Sequence, residues 1–158
     1  MIRVRALGTT GGKLAAALVA VVLMAALTGA LAQAPSRMQA FTATLASQYV
    51  VPAFSSGSSG SALAILDGQE LLVTGKFSLT SPIDTAEAGG AHIHRGGPTE
   101  NGPVVFELDV TGTLAGTFQG RFQLSADQVT ALENGEFYIQ VHSQDHRSGE
   151  IRGQLTPQ

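Results

Sequence analysis

Three histidines in this 158-residue chain have the type and spacing for metal chemistry. His92 and His94 sit in Ala91-His92-Ile93-His94-Arg95-Gly96, and His142 ends Tyr138-Ile139-Gln140-Val141-His142. Both stretches alternate as strands do. Successive strand side chains point to opposite faces, so His92 and His94 project together and Ile93 projects away. Two strand rises separate their Cα atoms by roughly 6.5 Å. Two imidazoles can close that gap onto one ion through bonds of about 2.0–2.1 Å to zinc. If His142 lies on a neighbouring strand and faces the same way, His92, His94 and His142 make a three-nitrogen metal site. Neutral imidazole suits copper, zinc, nickel and iron. The chain has no cysteine, and Met38 is the only methionine beyond the apolar N-terminal stretch, so a soft copper(I) or blue-copper site is not expected. Three nitrogens plus water fit copper(II) or zinc. The structural alternative is a buried histidine network that hydrogen-bonds carbonyls or carboxylates and locks the Gly96-Gly97-Pro98 loop.

Other polar residues carry weaker signals. His146 sits in the polar turn Gln144-Asp145-His146-Arg147 and is expected to face solvent, with a lesser claim as a ligand or gate. Glu150 and Arg152 share a face by i, i+2 spacing. They read as a sheet-surface ion pair worth under about 1 kcal/mol, or else Arg152 steers an anion toward a metal. Glu107 and Asp109 also share a face and read as solvated edge carboxylates. No phosphate loop, nucleophile elbow or Ser/His/Asp pattern appears at a convincing spacing. No catalytic residue is assigned, and a hydrolase is disfavoured.

The elements that must position the histidines are strands. Short apolar runs alternate with Gly, Ser, Asp and Pro, which predicts an all-β domain. Strands are expected at Gln39–Ala46, Ser61–Leu66, Glu70–Leu79, Gly90–His94, Val104–Val110, Gly116–Gln123, Glu136–Ser143 and Glu150–Leu155. Asp67-Gly68 predicts a hairpin turn. Residues 55–60, Ser-Ser-Gly-Ser-Ser-Gly, read as a flexible loop. Ser125-Ala126-Asp127-Gln128 is a capping-box start. Val129 and Leu132 then share a helical face, and Asn134-Gly135 supplies a stop. A short helix is therefore expected over Ala126–Glu133, packed on one end of the domain.

The first segment reads as an export address. Arg3, Arg5 and Lys13 precede the apolar run Leu14 to Leu31, and Ala30-Leu31-Ala32 gives a small-x-small cleavage pattern. Residues 1–32 are expected to be a signal peptide, with residues 33–37 a short tether and residues 38–156 one domain. An uncleaved anchor is the alternative, since the run is about the minimum span of a bilayer. Without the first 32 residues, six basic side chains face twelve acidic ones, a charge of −6. That balance argues against nucleic acid or anionic lipid as partners. With no disulfide possible, packing or a metal must hold the fold.

These residues, taken in order, resemble a known family. Phe41-x-Ala43-x-Leu45 is followed by Ala91-His92-Ile93-His94 and Asn101-Gly102-Pro103-Val104-Val105. Leu132-x-x-Gly135-x-x-Tyr138-x-x-Val141-His142 comes next, and Gly149-Glu150-Ile151-Arg152-Gly153-Gln154-Leu155 closes the chain. In this spacing they look like the CHRD domain, named for chordin and also found in exported bacterial proteins. The resemblance covers roughly Met38 to Leu155. It implies an immunoglobulin-like antiparallel β-sandwich with a limited similarity to copper/zinc superoxide dismutases, whose copper site also uses a His-x-His strand motif. Two departures stand out. Tyr49-Val50-Val51-Pro52 replaces the Glu-Val-Pro-Pro the family often carries. Ser143 and Gln144-Asp145-His146-Arg147 replace the usual threonine and following proline, which makes His146 particular to this chain. The zinc loop and cysteine bridge of the dismutases have no counterpart.

The resulting expectation is an exported, periplasmic or extracellular module, more binding protein than enzyme, that holds copper or zinc or a protein partner. A copper-dependent, superoxide-dismutase-like redox enzyme is the runner-up. A structural envelope or matrix protein associating through sheet edges is the third class.

Overall fold

The computed structural model describes residues 38–86 and 89–158. The expected signal peptide and tether lie outside the described residues. Among the described residues, no helix is long and apolar enough to cross a membrane. Among the described residues nine strands and one α-helix follow in order: β1 Gln39–Ala46, β2 Ser59–Asp67, β3 Glu70–Ser78, β4 Ala91–Arg95, β5 Val104–Gly112, β6 Ala115–Gln123, α1 Ala126–Glu133, β7 Phe137–Val141, β8 Ile151–Gln154 and β9 Thr156–Pro157. All strand pairings are antiparallel.

Among the described residues the all-β class and the short α-helix are as expected, but the sandwich is not. The strands run β2-β3-β6-β5-β4-β7-β8-β1, and β1 pairs back onto β2, which closes an eight-stranded barrel. β1 and β2 pair continuously from Gln39↔Leu66 to Ala46↔Ser59, so no gap divides the strands into two sheets. Closure demands a tight curl. Gly75 faces Phe118 across β3 and β6, and a Cβ on Gly75 would lie 2.1 Å from Phe118 Cζ. The ring covers a position that holds no side chain, a device that lets a sheet bend.

Alternating residues fill the interior. Phe41, Leu45, Leu71, Ile93, Phe118, Phe137, Ile139 and Ile151 are all fully buried. Each such side chain contributes about 1.5–3 kcal/mol relative to exposure. Helix α1 begins with the expected capping box, Ser125 and Gln128 exchanging side-chain and backbone bonds. Ala131 and Leu132 are buried and Val129 packs on the core. Asn134 caps the helix and Gly135 follows at φ +73°.

Strands β4, β7 and β8 differ from the rest, because both of their faces are covered. Ile93, Ile139 and Ile151 point into the barrel, while His92, His94, Tyr138, Gln140 and Arg152 are buried on the outer side. Two loops supply that cover. Gly96 N and Gly97 O bond Glu136 O and Arg152 respectively, and Ser148 O accepts from Gln140 Nε2. The serine-rich stretch expected to be flexible is also tied down. Ser56 N donates to Ser47 Oγ, Ser58 reaches Glu150, and Ser59-Gly60 already belong to β2.

Candidate metal centre

Register decides which side chains meet. His92 pairs with Gln140 and Gln140 with Arg152; His94 pairs with Tyr138 and Tyr138 with Gln154. Two rows of three outward side chains result, one column per strand. His142 follows Val141 at the end of β7 and shares a face with Gln140 by i, i+2 spacing. His142 N donates to Gly90 O and Asp84 N donates to His142 O, which continues the pairing past the formal end of the strand.

The three rings converge. One nitrogen from each of His92, His94 and His142 lies within 4.8 Å of the others, and all three residues are buried. His92 Nδ1 and His142 Nε2 face each other at 3.2 Å. Tetrahedral bonds of 2.0–2.1 Å would set nitrogen ligands about 3.3 Å apart. The closest pair is already at that spacing, and the widest needs less than ~1 Å of movement per ring.

Hydrogen bonds to carbonyls fix which nitrogens are free. His142 Nδ1 is 2.7 Å from Arg147 O, and His94 Nδ1 is 2.9 Å from Gly102 O. A carbonyl only accepts, so both Nδ1 atoms carry the proton and both Nε2 atoms present lone pairs. Such partners orient imidazoles for metal binding. His94 Nε2 is buried and has no hydrogen-bond partner. Around His92 space is tight: a Cβ on Gly89, itself at φ +71°, would come within 2.5 Å of His92 Nε2. That leaves Nδ1 as the nitrogen facing the other rings.

Electrostatics keep the rings neutral. Burial lowers the pKa of His142 from 6.5 to about 4, reinforced by His92 and His94 and opposed by the Arg147 carbonyl and by Asp84. Burial likewise lowers His92, with His94 adding to it. Burial lowers His94 too, its bond to Gly102 opposing and the charge of Arg152 reinforcing. Neutral imidazole is the form that binds metal.

Flanking side chains support the set. Tyr138 stacks on His94 at 4.9 Å and 7°, and its hydroxyl accepts from Gly102 N, whose own carbonyl holds His94. Arg152 lies on Tyr138 with Cζ 3.4 Å from the ring centroid. The sequence reading missed Tyr138 and Gly102. The i, i+4 spacing of Tyr138 and His142 carries the signal for Tyr138, since it sets both on one strand face. Gly102 leaves no periodic trace: its role comes from a backbone approach so close that a Cβ would lie 1.6 Å from Arg95 O.

Two expectations are corrected. Glu150 and Arg152 form no surface ion pair, for both are buried and bond elsewhere. Glu150 accepts from Ser58 Oγ at 2.5 Å, Thr80 Oγ1 at 3.3 Å and Ser143 Oγ at 2.9 Å. Burial alone would raise its pKa, but the hydroxyls of Ser58, Ser56 and Ser143 and the charge of His146 hold it below the ordinary value. Arg152, at 1 % exposure, is too enclosed to draw an anion from solvent. His146 stays outside the triad. It stacks on Phe54 at 4.2 Å and approaches Glu150 Oε2 at 3.5 Å. Glu107 and Asp109 are exposed, as expected.

No curated protein and no solved structure matches the chain. The model of the CHRD domain matches residues 41–155, a span that runs from within β1 past the end of β8 and includes the three converging histidines and the Glu150-to-Leu155 segment. The chain therefore belongs to the CHRD domain family.

Proposed function

We propose that this CHRD domain is a binding module that holds one copper or zinc ion through His92 Nδ1, His94 Nε2 and His142 Nε2. The observation that carries the proposal is the convergence of these nitrogens while backbone carbonyls occupy the far sides of two rings. A purely structural network satisfies its buried polar atoms. Here His94 Nε2 is a buried acceptor with nothing to accept from, and a cation satisfies it. When bound, the ion supplies a cross-link between β4 and the segment after β7. The protein's contribution is to hold the rings neutral, oriented and largely shielded from water. The test is elemental analysis of protein purified without a histidine tag. Wild type retains about one ion per chain and His92→Ala/His94→Ala retains none; equal metal in both sinks the proposal.

Three protein ligands leave a coordination position open. That favours copper-dependent superoxide dismutation as a second reading. Superoxide loss coupled to xanthine oxidase, measured on copper-loaded protein, tests it. A rate no greater than that of the His92→Ala/His94→Ala protein with equal added copper leaves binding alone. Assembly through sheet edges has less support, because each strand from β1 to β8 is paired on both sides.

Export to the periplasm or the exterior is also part of the proposal. It rests on Arg3, Arg5, Lys13, the apolar run and Ala30-Leu31-Ala32. N-terminal sequencing of protein from the expressing cells tests it, with Gln33 the expected first residue.

A further inference from the structure

Arg152 is a buried cation without a counter-ion. Its guanidinium donates to Glu100 O at 2.9 Å, Gly97 O at 2.7 Å and Asn101 Oδ1 at 3.4 Å, all neutral acceptors. Among the described residues no carboxylate pairs with it. Its face lies on Tyr138, and the far face of Tyr138 lies on His94. We infer that Arg152, acting through this stack, selects the charge of the ion held by the three histidines and biases the centre toward the lower oxidation state. The inference rests on the metal reading above.

The separations 3.4 and 4.9 Å place Cζ no farther than about 8.3 Å from the His94 ring centre. An ion bonded to His94 Nε2 is then within about 12 Å of the guanidinium, given metal–nitrogen bonds of about 2 Å. At an effective dielectric constant of about 20, the Coulomb repulsion at that distance corresponds to about tenfold in binding constant for each unit of ion charge. Other charges near the centre weigh less. Asp84 and Arg147 pair at 3.1 Å and largely cancel. Glu107, opposite His92, is exposed and screened by water. Glu100, also exposed, turns its carboxylate to Gly97 N. Glu150, buried and held ionised by hydroxyls, lies beyond Ser143 and has the His146 ring 3.5 Å away. Arg152 is the buried charge that rests on Tyr138, the ring that in turn stacks on His94.

Arg152 also ties down the loop from Gly97 to Asn101, so the test must separate charge from shape. Affinities for Cu(I) and Cu(II) are measured by competition with chromophoric chelators, anaerobically for Cu(I). Arg152→Gln should move the affinity ratio about tenfold toward Cu(II). Arg152→Lys, which keeps the charge and loses the fork, should stay within about threefold of wild type. Equal ratios in the two variants, or a wild-type ratio in Arg152→Gln, overturn the inference while leaving the metal site standing. Thr44→Glu covers the case in which Arg152→Gln does not fold. Thr44 is exposed on the groove that Arg152 and Gln154 also line. A carboxylate there acts by pairing with the guanidinium across the groove they share, so the ratio should shift in the same direction, and an unchanged ratio again overturns the inference. Wild-type protein that binds neither ion removes the metal reading itself and this inference with it.

Discussion

Acid should unfold the metal-free domain in a window set by His142. Its pKa is 6.5 unfolded and about 4 folded. A lowered folded value means that the unfolded chain binds a proton first. The neutral ring's stability is fully present above pH 6.5 and drains away as pH falls toward 4. Integrating that single site gives a loss of about 2 kcal/mol between pH 7 and pH 5, and about 3 kcal/mol by pH 4. The cause is physical: a proton on the ring must be held beside two other imidazoles and out of water. His92 and His94 are lowered as well and add to the same window.

Urea unfolding followed by far-UV circular dichroism, with chelator present, measures this at pH 7, 6, 5 and 4.5. His142→Gln is the informative partner. Its amide can still donate to Arg147 O but does not titrate. The variant should be flatter than wild type by about 2 kcal/mol between pH 7 and pH 5. Parallel profiles, or a wild type that gains stability on acidification, would refute the argument. Glu150 acts in a lower window. Its folded pKa lies below the unfolded one, so its contribution is present above about 4.5 and is lost only as pH falls further.

Four further outcomes follow from the same structure. Zinc at a hundredfold excess over its dissociation constant should stabilise wild type by about 2.7 kcal/mol in urea titrations, and His94→Ala should abolish the gain. Glu150→Leu leaves the hydroxyls of Ser58, Thr80 and Ser143 facing a hydrocarbon; a loss of about 3 kcal/mol is expected, with Glu150→Gln milder. Gly102→Ala puts a Cβ against Arg95 O and should cost at least about 3 kcal/mol, with reduced metal content because Gly102 O orients His94. Phe118→Ala should cost about 3–5 kcal/mol yet keep the metal stoichiometry, since the ring lies inside the barrel and away from the outer face.

Much of the chain's local structure was legible because local rules were obeyed. Gln39–Ala46 and Ala126–Glu133 match their expected bounds, the first from alternation and the second from a capping box that satisfies both ends of its own bond pair. Pairing order is a non-local property, and alternation is blind to it. The residues of β1 alternate identically whether their far neighbour is β2 in a barrel or an open edge in a sandwich. The histidines were legible for the same local reason, i, i+2 spacing. Glu150 and Arg152 were misjudged because a two-residue period says which side chains share a face but not whether a loop later covers it.

That second covering layer links fold to site. An antiparallel sheet usually leaves one face wet, and polar residues on the outer face of β4, β7 and β8 would then be ordinary surface. Here the loops between β4 and β5 and between β7 and β8 fold back over them. Each loop contributes backbone carbonyls at the points where buried donors need acceptors: Gly102 O for His94, Arg147 O for His142, Gly97 O and Glu100 O for Arg152. The carbonyls satisfy one nitrogen of each of these two rings, and the burial they create keeps the rings unprotonated. The same loops therefore hold the rings of His94 and His142 neutral and oriented, a state that needs the barrel beneath and the loops above but no residue type beyond histidine.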